Sequence, residues 1–309
     1  MLQTPTKWKD YELLDSGDSM KLERWGQYVI ARPEPQSLWP KQHDQNFWDR
    51  AQAVYARGAA GKGAWQMREK LPDRWQIAYQ GMKFWVRPTD FKHTGLFPEQ
   101  AVNWGWMQTK TNDMDGRGGL PLRPKMLNLF AYTGAATLVG LAAGYEVTHV
   151  DASEGIVAWA KENALLNSLH ERSVRWIVDD VTKFVAREER RGQKYDVIVM
   201  DPPSYGRGKK NELWKIEEML WPLMQKCKEV LSDTPLFFTI NSYTAGMSAT
   251  VLENMVRALH LPEGKISSGE IGLRPKGEGY PLPAGIFARW ERQQQGSHSS
   301  MDKAQPSEG

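Results

Sequence analysis

Cysteine is nearly absent: the single Cys227 among 309 residues excludes an internal disulfide and a cysteine-based zinc cluster. Long hydrophobic runs are missing too. No stretch approaches about 18 uninterrupted apolar residues, the length at which a membrane-spanning helix would be read. The N-terminus, MLQTPTKWKDYELLD, lacks the basic start and apolar middle of a secretion signal, so a cytoplasmic protein with no membrane partner is expected. Neither sign of charge dominates. The 40 Lys and Arg stand against 37 Asp and Glu, a net +3 that is compatible with a nucleic-acid partner without requiring one. The histidines at 43, 93, 149, 170, 260 and 298 show no metal-ligand spacing, and no metal is expected. The glycine-rich stretch RGAAGKG, Arg57 to Gly63, lacks the full spacing of a phosphate-binding loop and does not sit between a strand and a helix. There is no internal repeat.

What the chain has is an ordinary globular composition, 40% hydrophobic and 25% charged, which argues against disorder. Its length suits one large domain or two unequal ones. The large departure is 14 Trp, read first as core and cleft fillers and second as base-stacking platforms.

Residues 1–110 read as β-rich, with the runs YELLD, KLERWGQYVIARPEP and WQIAYQGMKFWVRP. Period-2 alternation around Gln80-Gly81 predicts a hairpin. Turn formers and two prolines in TNDMDGRGGLPLRP place a linker at 111–124. Over 125–292 the pattern changes to short apolar runs (KMLNLF, EVTHV, SVRWIV, YDVIVM, LFFTI). Between them stand helical patterns (AATLVGLAA, GIVAWAKENALLNSL, VTKFVAREERR, NELWKIEEMLWPLMQKCKEVL). Alternating β and α elements imply a parallel sheet covered on both faces, with ligands at the carboxyl ends of its strands. GKISSGEIGL and AGIFARW add two strands, for seven in all. Residues 293–309 read as a polar tail.

Four strand ends carry the chemistry. The first leads into Phe130-Ala131-Tyr132-Thr133-Gly134 and then a helix. Gly134 permits close backbone approach and the helix offers free N–H groups. The spaced glycines of G-x-G-x-x-G, which would bring a pyrophosphate down onto the helix, are absent, so a cofactor without phosphate fits better. The second strand ends at Asp151, placed to accept both hydroxyls of a ribose or to cap the following helix. The third ends in Asp179-Asp180, either of which could bind an adenine amino group or cap a helix; Asp180 is preferred. The fourth ends in Asp201-Pro202-Pro203-Ser204-Tyr205. Prolines cannot donate hydrogen bonds, leaving the Asp201 carboxylate and the Pro202 carbonyl as acceptors and the Tyr205 ring to stack on a flat base turned out of its helix.

The motifs LDSG, HTGLFPEQ, LNLFAYTGAATL, VDAS, VDD and DPPSYGRG together resemble the class I S-adenosylmethionine-dependent methyltransferases. More narrowly, they resemble the bacterial family that includes large-subunit ribosomal RNA methyltransferases. The resemblance runs from about Tyr11 to Trp290. It implies a Rossmann-like seven-stranded methyltransferase sheet with a smaller N-terminal β-rich domain, and S-adenosyl-L-methionine as cofactor. It further implies that Phe130, Tyr132, Thr133 and Gly134 surround the methionine part, Asp151 binds the ribose and Asp180 the adenine. Asp201, Pro202 and Tyr205 would hold the acceptor, with Thr94 to Gln100 near the cofactor.

Two features limit the resemblance. Relatives that methylate cytosine carbon 5 use a cysteine nucleophile, whereas the loop after the fifth strand reads Thr239-Ile240-Asn241-Ser242-Tyr243. No small RNA-binding domain is recognisable ahead of the β-rich part, so RNA would have to be held by the cleft. Arg207, Lys209 and Lys210 follow the acceptor loop and read either as a solvated turn or as phosphate contacts. Cys227 shares helical spacing with Leu223 and with Val230 or Leu231 and reads as core. The expected activity is methylation of a base nitrogen in ribosomal RNA. The alternatives are methylation of a small molecule or protein side chain, an RNA-binding protein without catalysis, and a nicotinamide-dependent oxidoreductase, against which the missing glycine fingerprint argues.

Overall fold

The computed structural model describes residues 1–57, 63–112, 123–207 and 213–293. In chain order the N-terminal strands are β1 (Leu2–Gln3), β2 (Tyr11–Gly17), β3 (Met20–Trp25), β4 (Tyr28–Pro33), β5 (Ala53–Arg57), β6 (Gly63–Met67), β7 (Trp75–Tyr79) and β8 (Met82–Val86). A short helix α1 (Gln45–Trp48) separates β4 from β5, and a single 3-10 turn (Pro98–Gln100) leads into α2 (Ala101–Asn112). There follow β9 (Lys125–Leu129), α3 (Ala135–Ala142), β10 (Glu146–Asp151), α4 (Glu154–Leu166), β11 (Val174–Val178), α5 (Val181–Arg190) and β12 (Val197–Met200). The chain continues through β13 (Tyr205–Arg207), β14 (Leu213–Lys215), α6 (Ile216–Glu229), β15 (Phe237–Ser242), α7 (Ala249–Ala258), β16 (Gly264–Leu273) and β17 (Leu282–Arg292).

The large sheet has the order β1-β16-β17-β15-β12-β9-β10-β11. Strands β11, β10, β9, β12 and β15 are mutually parallel, and β17 runs antiparallel to both its neighbours. Its central strands are apolar without alternation because both faces are covered. Met126, Val197, Val199 and Phe237 turn to the side of α2 and α3, with Trp104, Met107, Leu138 and Leu141. Leu127, Ile198, Met200 and Phe238 turn to the side of α5, α6 and α7, with Phe184, Leu220, Leu223 and Val256.

A second sheet, β2-β3-β4-β5-β6, lies N-terminal. The predicted hairpin is β7–β8, and its turn residues Gln80 and Gly81 have φ of 47° and 87°, the left-handed pair that a two-residue hairpin turn demands. This hairpin docks on α4 through side-chain amides. Asn167 Oδ1 accepts from the Lys83 amide at 2.8 Å and its Nδ2 donates to the Lys83 carbonyl at 2.7 Å, while Asn163 Oδ1 accepts from the Trp85 amide at 2.9 Å.

Among the described residues the large sheet has eight strands where seven were expected, because Leu2 and Gln3 add an edge strand opposite Glu270 and Ile271. Residues 101–110, read as part of a β-rich region, and the first two residues of the expected linker are helical: Ala101, Trp104 and Met107 are buried at a spacing of three, and Pro98 opens the preceding turn. The helix expected from Asn211 begins at Ile216, since Leu213–Lys215 pairs instead with Tyr205–Arg207. Helix α7 was not foreseen, although Leu252 and Val256 carry an i, i+4 core pair. The residues 58–62 of the glycine-rich stretch, most of the expected linker (113–122) and the expected tail (294–309) lie outside the described residues. The stretch's flanks pair as β5–β6. Among the described residues no helix is long and apolar enough to cross a membrane. Trp8, Trp25, Trp75 and Trp104 all pack in the core, the first of the two readings of tryptophan.

Candidate active site

The order of the parallel strands reverses between β9 and β12, and an open sheet of this kind leaves a crevice outside the carboxyl ends of its strands at that point. A cavity of about 870 Å³ lies there, within the range of about 300–1,000 Å³ typical of small-molecule sites. Phe130, Tyr132, Asp151, Asp180, Asp201 and Pro202 line it from the sheet.

The loop after β9 is shaped by backbone that few residues adopt. Phe130 has φ of 54°, Tyr132 of 49° and Gly134 of 88°. A left-handed non-glycine residue costs on the order of 1–3 kcal/mol and persists only where its surroundings fix it. Here they do. The Tyr132 amide donates to Asp151 Oδ2 at 3.0 Å, the Ala131 amide to the Val150 carbonyl at 3.0 Å, and Asn163 Nδ2 to the Thr133 carbonyl at 2.9 Å. Gly134 opens α3, and a Cβ there would stand 3.0 Å from that of Ala160. Thr133 and Gly134 are not in the cavity wall. Thr133 is buried, and its Oγ1 donates to the Gly95 carbonyl at 2.6 Å, so these two residues shape the loop whose Phe130 and Tyr132 face the cavity.

Asp151 does not cap α4 in the ordinary way; Ser153 holds the cap position and donates its amide to Asp151 Oδ1 at 2.9 Å. Burial raises the Asp151 carboxyl, against the pull of the Ser153 and Tyr132 amides. Asp180 does both things considered for it: it lines the cavity, and it caps α5 by accepting from the Lys183 amide at 2.9 Å. Asp179 is instead ion-paired to Arg187.

Asp201 follows β12. Its Oδ2 accepts from Gln100 Nε2 at 3.2 Å, while Oδ1 is cut off from solvent and has no partner among the described residues. Burial, and then the charge of Glu99, push its pKa up to about 7. Tyr205 is not in the wall. It stands 54% exposed on β13, between Ser204 and Gly206, which do line the cavity, because alternate residues of a strand face opposite ways. The aromatic surface comes from Trp214, whose Nε1 donates to the Pro203 carbonyl at 2.6 Å, and from Tyr243 and Phe97, whose rings lie 5.3 Å apart. The side chain of Arg207, and Lys209 and Lys210 entirely, lie outside the described residues. Cys227, on α6, is fully buried in one apolar cluster with Leu223, Met224 and Val230, and burial drives its thiol pKa up.

The N-terminal sheet closes the cavity with residues not singled out from sequence. Lys21 and Arg32 face each other across β3 and β4 and both line the cavity. Two like charges opposite each other are destabilising, and Glu23 resolves this. It accepts from Arg32 Nε at 2.5 Å and Nη2 at 3.0 Å, and from the Tyr11 hydroxyl at 2.7 Å. Burial works to raise the Glu23 carboxyl, but Arg32 and Lys21 overcome it and hold its pKa at about 2. Lys21 also pairs with Glu34 at 3.1 Å. His93 is held neutral, its pKa lowered to about 3 by burial and by Arg32, Lys92 and Lys21. Glu99, raised by burial, and Gln100 belong to the motif HTGLFPEQ. For Lys21 and Arg32 no sequence signal was available, since a charge in an alternating strand reads as solvent-facing.

A parallel sheet with one reversed strand near its edge, a crevice at its switch point and carboxylates ending successive strands define an α/β enzyme built for a nucleoside-bearing cofactor. The family model described as S-adenosylmethionine-dependent methyltransferase matches residues 51–259, and this chain belongs to that family. The SAM-dependent methyltransferase from Agrobacterium tumefaciens is 38% identical with a TM-score of 0.88, over 95% of this chain and 94% of that one. The ribosomal RNA large subunit methyltransferase K/L of Aeromonas salmonicida is 32% identical over 196 residues, which are 62% of this chain and 26% of the relative. The chain thus spans about a quarter of that relative's length. The ribosomal RNA large subunit methyltransferase K of Neisseria meningitidis is 27% identical over 250 residues, 78% of this chain and 66% of that one.

The residues present suit S-adenosylmethionine. Carboxylates end β10 and follow β11, the strained loop after β9 brings Phe130 and Tyr132 into the cavity wall, and Asp201 keeps an acceptor atom that no group among the described residues uses.

Proposed function

We propose that this chain methylates a nitrogen of a base in ribosomal RNA, with Phe130 and Tyr132 against the methionine part of S-adenosylmethionine, Asp151 on the ribose and Asp180 on the adenine. Thr133 and Gly134 support that loop from behind. S-adenosylmethionine, when bound, supplies a methyl group already activated on a sulfonium. The chain's own work is then to position the acceptor lone pair and exclude water.

The observation that carries this reading is Asp201 Oδ1, without a partner among the described residues and beside Pro202 and Pro203, which have no amide N–H to offer. A buried acceptor without a donor costs free energy, and a base amino or ring N–H relieves that cost. Asp201 orients the acceptor through this N–H, and the Pro202 carbonyl takes a second. Its pKa near 7 also suits Asp201 to take up the proton released as nitrogen gains a methyl group. Trp214 and Tyr243 flank the base, with Tyr205 at the rim. Arg207, Lys209 and Lys210, which follow the acceptor loop in sequence, are assigned to RNA phosphates. The rRNA methyltransferase relatives support RNA as the substrate class.

The test is incubation of the protein with S-adenosylmethionine and ribosomal RNA from a strain lacking it, followed by nucleoside mass spectrometry. An N-methylated base is expected. Methyl transfer only to small molecules or protein would overturn the RNA assignment and leave the cofactor site standing.

A further inference from the structure

Behind the cavity floor runs a chain of buried side chains with one direction. It starts at Arg289 on β17, whose guanidinium lies 4.0 Å from the Phe287 ring centroid and 4.8 Å from that of Trp106. Arg289 donates from Nε to Asn103 Oδ1 at 3.1 Å, and also from Nη2 to the same oxygen. Asn103 Nδ2 donates to Gln100 Oε1 at 2.7 Å and to Asn241 Oδ1 at 2.7 Å. Gln100 Nε2 then donates to Asp201 Oδ2 at 3.2 Å and to the Tyr243 hydroxyl at 2.9 Å.

An amide side chain can in principle point either way, but arginine has only donors. Arg289 therefore fixes the oxygen of Asn103 toward itself, which fixes the nitrogen of Asn103 toward Gln100, which fixes the nitrogen of Gln100 toward Asp201. Having accepted from Gln100, Tyr243 is left to donate its proton to Glu99. Turning Gln100 over would set its oxygen against Asp201 Oδ2, and only a protonated Asp201 would tolerate that contact.

We propose that Arg289, Asn103 and Gln100 form a polarity relay that holds Asp201 as a hydrogen-bond acceptor, with Oδ1 left for the group to be methylated. All three are positioning residues. The relay's place in catalysis rests on the reading of Asp201 given above, but its effect on Asp201 does not. Hydrogen bonding to the charged form of a carboxyl favours that form, so the relay opposes the burial and the Glu99 charge that push Asp201 up to about 7.

The experiment is a ¹³C NMR titration of the full chain labelled at aspartate carboxyls, with the Asp201 signal assigned by its loss in Asp201→Asn. Asn103→Asp still accepts from Arg289 but no longer donates to Gln100, so the Asp201 midpoint should rise by about one pH unit or more. Asn241→Asp adds a carboxylate to the same network and strengthens the grip on the Asn103 nitrogen. It should raise the midpoint by less than half as much. Gln100→Leu, which removes the donor itself, should raise it as Asn103→Asp does, and Arg289→Lys, which keeps a donor, should leave it near the native value. Equal rises in Asn103→Asp and Asn241→Asp, or no rise in folded Asn103→Asp, would overturn the relay. The titration needs no RNA. A protein that shows these shifts yet methylates no RNA keeps the relay and loses the RNA assignment; one that methylates RNA without these shifts does the reverse.

Discussion

The Tyr132 amide donates to Asp151 Oδ2 at 3.0 Å, so the carboxylate assigned to the ribose also holds the strained loop assigned to the methionine. Asp151→Ala should accordingly weaken S-adenosylmethionine binding and lower Tm together. Each charge-assisted hydrogen bond to the ribose is worth roughly 1.5–3 kcal/mol, and two backbone donors lose their acceptor. Asp151→Asn, which keeps one acceptor oxygen, should recover part of the Tm. Calorimetric titration beside thermal melts reads both effects; undiminished affinity in a folded Asp151→Ala protein would remove Asp151 from the cofactor site.

The raised pKa of Asp201 makes a prediction about stability. Between its ordinary value of 3.8 and about 7 the folded chain holds a proton there that the unfolded chain has released. The Asp201 contribution therefore falls as pH rises through that window and stays low above it. Asp201→Asn, unable to ionise, should equal the native protein near pH 4 and exceed it at pH 8 by on the order of 2–4 kcal/mol, while losing turnover and keeping cofactor affinity. Urea melts at the two pH values test this. A variant less stable than native at pH 8 would contradict the assignment of an uncompensated carboxylate.

For RNA binding, replacing Arg207, Lys209 and Lys210 together by Ala should flatten the salt dependence of affinity by about 2 in log–log slope, as three phosphate contacts on a single strand are lost. S-adenosylmethionine affinity should hardly move. A slope equal to that of the native protein would return these residues to the role of a solvated turn.

Methylation at a pyrimidine carbon needs a covalent adduct with a nucleophile, and the single thiol of the chain is in the core of α6. Cys227→Ser should keep cofactor binding and turnover and lose about 1–2 kcal/mol from a hydroxyl placed among apolar side chains. Trapping of 5-fluorocytosine RNA on Cys227 would sink the nitrogen-acceptor reading.

The α/β order was legible because each central strand is a run of apolar residues ended by an acidic or turn residue, as in VIVM followed by Asp201-Pro202. Asp151, Asp180 and Asp201 could be found the same way, since strand ends of a parallel sheet all open on one crevice. Tyr205 shows the limit: sequence adjacency put it in the site, but the pairing of β13 with β14 turns it outward. Arg289, Asn103 and Gln100 could not be read as one group, because they come together only when β17 folds back between β15 and β16. Lys21 and Arg32 were hidden for a different reason, as charges in strands read as solvent-facing until the partner that neutralises them is placed.

The docking of β8 on α4 has a consequence for self-association. An exposed strand edge offers its amides and carbonyls to any other chain with an unpaired strand. Asn163 and Asn167, one helical turn apart, supply the amide groups that a neighbouring strand would have supplied to Lys83 and Trp85. A helix surface has thus taken the place of a third strand, and α4 shields the edge of β8 from a second copy of the chain.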